Sequence, residues 1–198
     1  KFAGINFGNF HALVIGNDNY TYLTKLNTAE DGAREVGRVL EQNYGFKVKY
    51  LLNATRDAIL DTLSDYRKDL IKNDNLLIYY AGHGYEDKDI EKGYWQPVDA
   101  KEFSKGNWIA NSDITDELKA FKAKHIMVVA DSCYSGTLTR SGQGQRTDGD
   151  PDREWLRQMA KTQTRTVLTS GGRKPVADGG GGGHSVFTKY FLKALRTE

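Results

Sequence analysis

Cys133 is the only cysteine in the 198-residue chain. It follows the apolar run Ile126-Met127-Val128-Val129-Ala130, within Asp131-Ser132-Cys133-Tyr134-Ser135-Gly136. Fifty residues upstream a second apolar run, Leu76-Leu77-Ile78-Tyr79-Tyr80-Ala81, ends in Gly82-His83-Gly84. Short apolar runs bounded by turn residues read as buried strands. Each motif therefore carries a reactive side chain into the loop just past a strand. If the two strands are neighbours, thiol and imidazole meet at one edge of the sheet, which is the arrangement of a nucleophile and its base. A lone cysteine at the end of an apolar run is ordinarily a small buried hydrophobe. Three features oppose that here. Asp131 and Ser132 are polar, Gly136 gives the turn freedom, and a histidine follows another strand. Glycines on both sides of His83 suit a tight turn that brings imidazole and backbone amides near a substrate.

Other chemistries fit less well. His11, His83, His125 and His184 show no paired ligand spacing with Cys133, so a zinc site is not expected. The glycine run 179–183 lacks both the Gly-Lys-Ser/Thr ending of a phosphate loop and the Gly-x-Gly-x-x-Gly pattern. It reads as a flexible loop lying along a substrate. Asp148, Asp150 and Asp152 alternate like part of a calcium loop, without the terminal glutamate at the required spacing. The expectation is no cofactor and no metal, and calcium activation has no clear site to support it.

The elements that must position the pair follow from periodicity. His11 to Gly16, Phe46 to Leu51, the Leu76 and Ile126 runs, and Arg165 to Ser170 read as strands, with the Phe46 strand nearer an edge. Thr28 to about Asn43 has helical spacing, with Thr28 as the cap and Asp31 in the capping-box position. Thr55 opens a second helix, Ile114 to Phe121 forms a third, and Val186 to Leu195 closes the chain. Strands separated by helices imply an α/β three-layer sandwich: a mostly parallel central sheet with helices on both faces. Ligands bind such sheets beyond the carboxyl ends of the strands, where His83 and Cys133 both fall. Residues 137–154 are polar, without apolar periodicity, and read as an exposed loop.

The chain is of single-domain length. A net charge of +2 from 28 basic and 26 acidic residues gives no electrostatic reason for nucleic acid or a membrane surface as partner. One cysteine cannot close an internal disulfide, which points to a reducing, cytoplasmic compartment. No signal-peptide core follows Lys1, and no apolar run approaches the roughly 20 residues of a membrane span. The missing initiator methionine suggests a fragment of a longer chain, with further domains or regulatory partners outside it.

At these residues the chain resembles the caspase-like cysteine peptidases (clan CD, family C14), nearest the bacterial caspase-like, metacaspase or orthocaspase branch. Tyr80-Ala81-Gly82-His83-Gly84 is similar to the family's histidine motif, and Asp131-Ser132-Cys133-Tyr134-Ser135-Gly136 to its nucleophile motif. The likeness extends to Ala12-Leu13-Val14-Ile15-Gly16-Asn17 with Asn19-Tyr20, to Tyr94-Trp95-Gln96-Pro97-Val98-Asp99-Ala100, and to Ser170-Gly171-Gly172. Asp-Ser-Cys departs from the Gln-Ala-Cys of animal caspases, which argues against cleavage after aspartate.

The resemblance implies the caspase-like fold, with a large-subunit-like part (1–140), an exposed linker (141–153) and a small-subunit-like part (154–198). It implies His83 as general base and acid and Cys133 as nucleophile, with the backbone amides of Gly84 and Cys133 as the oxyanion hole. Asp131 and Asp31 are the implied carboxylates of an S1 pocket for a basic P1 side chain. The plainer alternatives are a helix N-terminal charge for Asp31 and a structural cap for Asp131. The expected activity is a cysteine endopeptidase cleaving protein or peptide substrates after Arg or Lys. It would be the protease module of a larger bacterial signalling or defence protein. Arg140, Arg146 and Arg153 are then expected self-cleavage positions. The rival reading is a catalytically silent caspase-like interaction module.

Overall fold

The apolar runs assemble into one sheet. The computed structural model describes residues 6–132, 163–170 and 183–196. Within it β1 (Phe10–Gly16), β2 (Lys47–Leu52) and β3 (Asn75–Ala81) join β7 (His125–Asp131) and β8 (Thr164–Thr169). Their order is β2-β1-β3-β7-β8 and every neighbouring pair is parallel. All of β3 is buried, as expected of a central strand covered on both faces. The more polar β2 lies at an edge, as its alternating sequence predicts.

Alternation along the strands sends side chains to two cores. On one face Leu13, Ile15, Leu76, Ile78, Tyr80 and Val128 pack with Ile59 and Leu63 of α2 (Arg56–Asp69) and Ile114 and Leu118 of α3 (Asn111–Ala120). On the other, Ala12, Val14, Leu77, Tyr79 and Val129 meet Ala33, Val36 and Leu40 of α1 (Ala29–Tyr44) and Leu192 of α4 (Val186–Arg196). Burying each large aliphatic side chain is worth about 1.5–3 kcal/mol. These residues thus fix which helix covers which face. The three-layer α/β architecture read from the sequence is the one observed.

A second sheet was not expected. The strands β4 (Gly84–Asp87), β5 (Lys92–Trp95) and β6 (Ile109–Ala110) form a small antiparallel sheet in that order. Tyr80 of β3 and Trp95 of β5 stack with centroids 4.3 Å apart, locking the small sheet to the large one. The first residue of β4 follows His83 directly, so the small sheet fixes the chain that leaves the histidine.

The start of α1 also corrects the sequence reading. Thr28 makes no side-chain capping bond. Instead Asp18 accepts from the N–H of Ala29 at 3.0 Å and of Glu30 at 2.9 Å, one with each carboxylate oxygen. A carboxylate at this position satisfies two unpaired amides and complements the helix dipole. Thr55, by contrast, caps α2 as expected, accepting from Ala58 N–H. At the far end of the sheet Arg165 of β8 donates to the carbonyls of Leu118, Phe121, Ala123 and Lys124. One guanidinium thereby gathers four carbonyls around the end of α3 and pins β8 to the rest of the sheet.

No helix among the described residues is long and apolar enough to cross a membrane.

Candidate active site

The strands carrying the two motifs are neighbours. In the β3–β7 register Tyr80 faces Ala130 and Ala81 faces Asp131. The ladder continues past the strand ends, because the Gly82 N–H donates to the Asp131 carbonyl at 3.3 Å. Ser132, buried, is held from the other side, where the Ser170 hydroxyl donates to its carbonyl at 3.4 Å. His83 stands two residues past Ala81, as Cys133 does past Asp131. Cys133 itself lies outside the described residues, as do Arg140, Arg146, Arg153, the 137–154 loop and most of the glycine run.

His83 is half-buried and held at four points. Its Nε2 is 2.8 Å from the Thr24 carbonyl oxygen. A carbonyl can only accept, so this contact puts the ring proton on Nε2 and leaves Nδ1 with the lone pair that a base requires. The ring packs on Tyr20 with centroids 4.6 Å apart. The His83 backbone N–H donates to the Tyr20 hydroxyl at 2.7 Å, and the Tyr80 hydroxyl donates to the His83 carbonyl at 2.8 Å. That carbonyl also accepts from Gln96 N–H at 3.0 Å.

The Gln96 bond determines the direction of Gly84. In an antiparallel ladder a bond from Gln96 N–H to His83 makes the next pair, Gly84 opposite Trp95, a non-hydrogen-bonded one. Gly84 therefore directs its own N–H away from β5, and β4 is the edge of its sheet.

Gly82 accounts for itself by crowding. A Cβ there would sit 2.7 Å from the Tyr20 hydroxyl and 3.0 Å from that of Tyr80. Both phenols are buried, and desolvation pushes each well above its ordinary pKa, so they are neutral hydroxyls at any working pH.

Asp131, at the end of β7, is buried, with 8% of its surface exposed. Its Oδ2 accepts from Thr188 Oγ1 at 2.6 Å and from the Ser185 hydroxyl. Ser185 caps α4, its Oγ accepting from Thr188 N–H at 2.9 Å. Thr188 spends its hydroxyl proton on Asp131, so the Tyr79 hydroxyl donates to Thr188 in turn. The carboxylate thus sits at the N-terminus of α4, where the helix dipole favours a negative charge. Burial, and then the Asp131 charge, push the Tyr79 phenol far up.

Asp31 occupies a different place. It is exposed in the first turn of α1. The neighbouring Gly32 is the residue that faces the Asp131 network: a Cβ on it would lie 3.2 Å from Thr188 Cγ2 and 3.7 Å from the Tyr79 hydroxyl. Among the described residues no group of three or more His, Cys, Asp or Glu side chains could hold a metal ion.

Sequence reasoning did not identify Thr24, Tyr80, Ser185 and Thr188 as site residues, and gave Tyr20 no role. Tyr20 and Tyr80 left a signal, Tyr20 through its place after Gly16-Asn17-Asp18-Asn19 and Tyr80 through its place in the histidine motif.

Comparison with known proteins agrees with this fold. The Caspase domain model (Peptidase_C14) matches residues 9–198. Metacaspase-1A of Neurospora crassa is 24% identical over 201 residues, covering 91% of this chain and 43% of that protein. Metacaspase-1 of Cryptococcus neoformans is 29% identical over 157 residues, covering 66% of this chain and 33% of that protein. The chain thus spans less than half the length of these relatives. A solved structure of a Geobacter sulfurreducens protein superposes with a TM-score of 0.67 at 18% identity, covering 95% of this chain and 82% of that one. With the parallel sheet, the histidine turn beside the end of β7 and a family model running almost end to end, the chain belongs to the caspase domain family.

Proposed function

We propose that this chain is a cysteine endopeptidase domain that cleaves after basic residues through a His83–Cys133 dyad. The observation that carries the reading is the β3–β7 register. It pairs Ala81 with Asp131, and His83 and Cys133 each follow two residues later in the sequence. Strands in a sheet lie about 4.8 Å apart, within reach of a thiol–imidazole contact. His83 Nδ1 takes the thiol proton as Cys133 Sγ attacks the scissile carbonyl. The developing oxyanion is stabilised by the N–H of Gly84, which points off the edge of β4, together with that of Cys133. The protonated imidazole then gives its proton to the leaving amine. Water, deprotonated by the same nitrogen, hydrolyses the acyl-enzyme.

The basic preference rests on Asp131. Its carboxylate is buried at the carboxyl end of β7 and held by two hydroxyls on Oδ2; in this reading Oδ1 would take the substrate cation. A buried carboxylate repels an acidic P1 side chain and favours a guanidinium or ammonium. Asp31, exposed one turn into α1, would add to the field as a rim charge. Autolysis at Arg140, Arg146 or Arg153 follows from the same preference.

A fluorogenic peptide library varied at P1 tests the proposal. Turnover is expected with Arg and Lys and none with Asp. A preference for Asp would overturn the pocket assignment, and no turnover of any peptide would favour a silent interaction module.

A further inference from the structure

We infer that Tyr20 and Tyr80 are positioning residues for His83, forming a clamp that grips both backbone groups of that residue and aims its imidazole. The inference rests on the proposal that His83 is the base, and it adds residues to which no role in that chemistry has been assigned.

Tyr20 reaches His83 from the loop after β1, 63 residues away in sequence, and does two things at once. Its hydroxyl accepts the His83 N–H at 2.7 Å, and its ring packs on the imidazole at 4.6 Å. Tyr80 holds the opposite end of the same residue, donating to the His83 carbonyl at 2.8 Å. Both hydroxyls lie against Gly82, within 3.0 Å of where a Cβ on that residue would stand, so the clamp closes around the residue just before His83. His83 N–H and C=O are thus tied to one rigid pair of side chains. Tyr80 is itself immobilised by its stack on Trp95.

The loop carrying Tyr20 is wired just as firmly. Asn53, in the left-handed conformation at φ 53°, accepts from the N–H of Asp18 and of Asn19 through its side-chain oxygen. Asn17 accepts from Ala54 N–H at 2.9 Å, and Asp18 binds the start of α1. The side chains of Asn17, Asp18 and Asn53 are therefore spent on fixing the stretch that delivers Tyr20 and, four residues later, the Thr24 carbonyl that orients Nε2. A clamp of this kind would matter to chemistry because misplacing a catalytic group by about 1 Å can cost 10²-fold in rate. The glycine at position 82 is what allows both hydroxyls to approach.

The test uses Tyr20→Phe and Tyr80→Phe in the whole chain. Both keep the ring and its packing, and each removes one hydroxyl. Two quantities are read: kcat and KM on an arginyl peptide, and the pH profile of Cys133 alkylation by iodoacetamide. Tyr20→Phe is expected to lower kcat by about ten- to hundredfold with KM within about twofold of wild type. The alkylation profile should shift toward higher pH, approaching that of His83→Ala. Tyr80→Phe should move both in the same direction and serves if Tyr20→Phe does not fold. A wild-type kcat and a wild-type alkylation profile in a folded variant would overturn the clamp, whatever the change in melting temperature. If the wild type hydrolyses no peptide, the proposed function fails separately, and the alkylation profiles alone decide whether the tyrosines tune His83.

Discussion

His83→Ala is expected to lower kcat/KM on arginyl peptides by about 10³-fold or more while leaving the fold intact. General acid–base catalysis by a placed side chain contributes typically 10²–10⁴-fold. Here the imidazole has the further task of turning the thiol into a thiolate, and a free cysteine near pKa 8.5 is only a few per cent ionised at neutral pH. The structure makes the variant interpretable. His83 is half-buried, and its backbone ties to Tyr20, Tyr80 and Gln96 survive removal of the ring. A drop in rate should therefore come without a large drop in melting temperature. Steady-state kinetics beside a thermal melt checks this. Near-normal turnover in the variant would remove His83 from the mechanism.

The second large effect concerns Asp131. Asp131→Asn keeps the size of the side chain and a carbonyl oxygen to accept from Ser185 and Thr188, but removes the charge. Leaving a substrate cation desolvated without its carboxylate costs on the order of 2–5 kcal/mol. That corresponds to roughly a 30-fold to several-thousand-fold loss in kcat/KM for Arg peptides. Alkylation of Cys133 by a small neutral reagent should hardly change, because the dyad is untouched. The alternative reading makes Asp131 purely structural. Its bonds to Ser185 and Thr188 would then serve only to seat α4 on the sheet. It predicts a lowered melting temperature and unchanged discrimination between Arg and neutral P1 residues. The ratio of those two rates, measured in wild type and variant, separates the two roles.

The parts of this molecule that were legible in its sequence are those decided by burial. Leu76 to Ala81 and Ile126 to Ala130 read as buried strands from their apolar runs, while their adjacency was a condition of the reading that the β3–β7 register meets. The small sheet was not legible. Gly84–Asp87 and Lys92–Trp95 are four residues each, carry Glu86, Asp87 and Lys92, and have no apolar run or alternation to announce a strand. The cap of α1 was misread because Thr28 is the local candidate, whereas the carboxylate that binds the helix belongs to Asp18, ten residues earlier. Within the site, His83 declared itself by its glycines. Two of its supports, Thr24 and Tyr20, are set by tertiary contacts across a loop, which no spacing rule encodes, while Tyr80 is local and stands in the same motif. Ser185 and Thr188 were hidden for the same reason, reaching Asp131 from more than fifty residues away.

The most direct test of the central claim is covalent capture by a peptidyl chloromethyl ketone ending in arginine, followed by peptide mass mapping. Its reaction needs the nucleophile, its base and the P1 pocket together. The account predicts one adduct per chain, on Cys133, formed rapidly in wild type and much more slowly in His83→Ala and Asp131→Asn. An adduct on another residue, or labelling of Cys133 at the same rate in all three proteins, would contradict it.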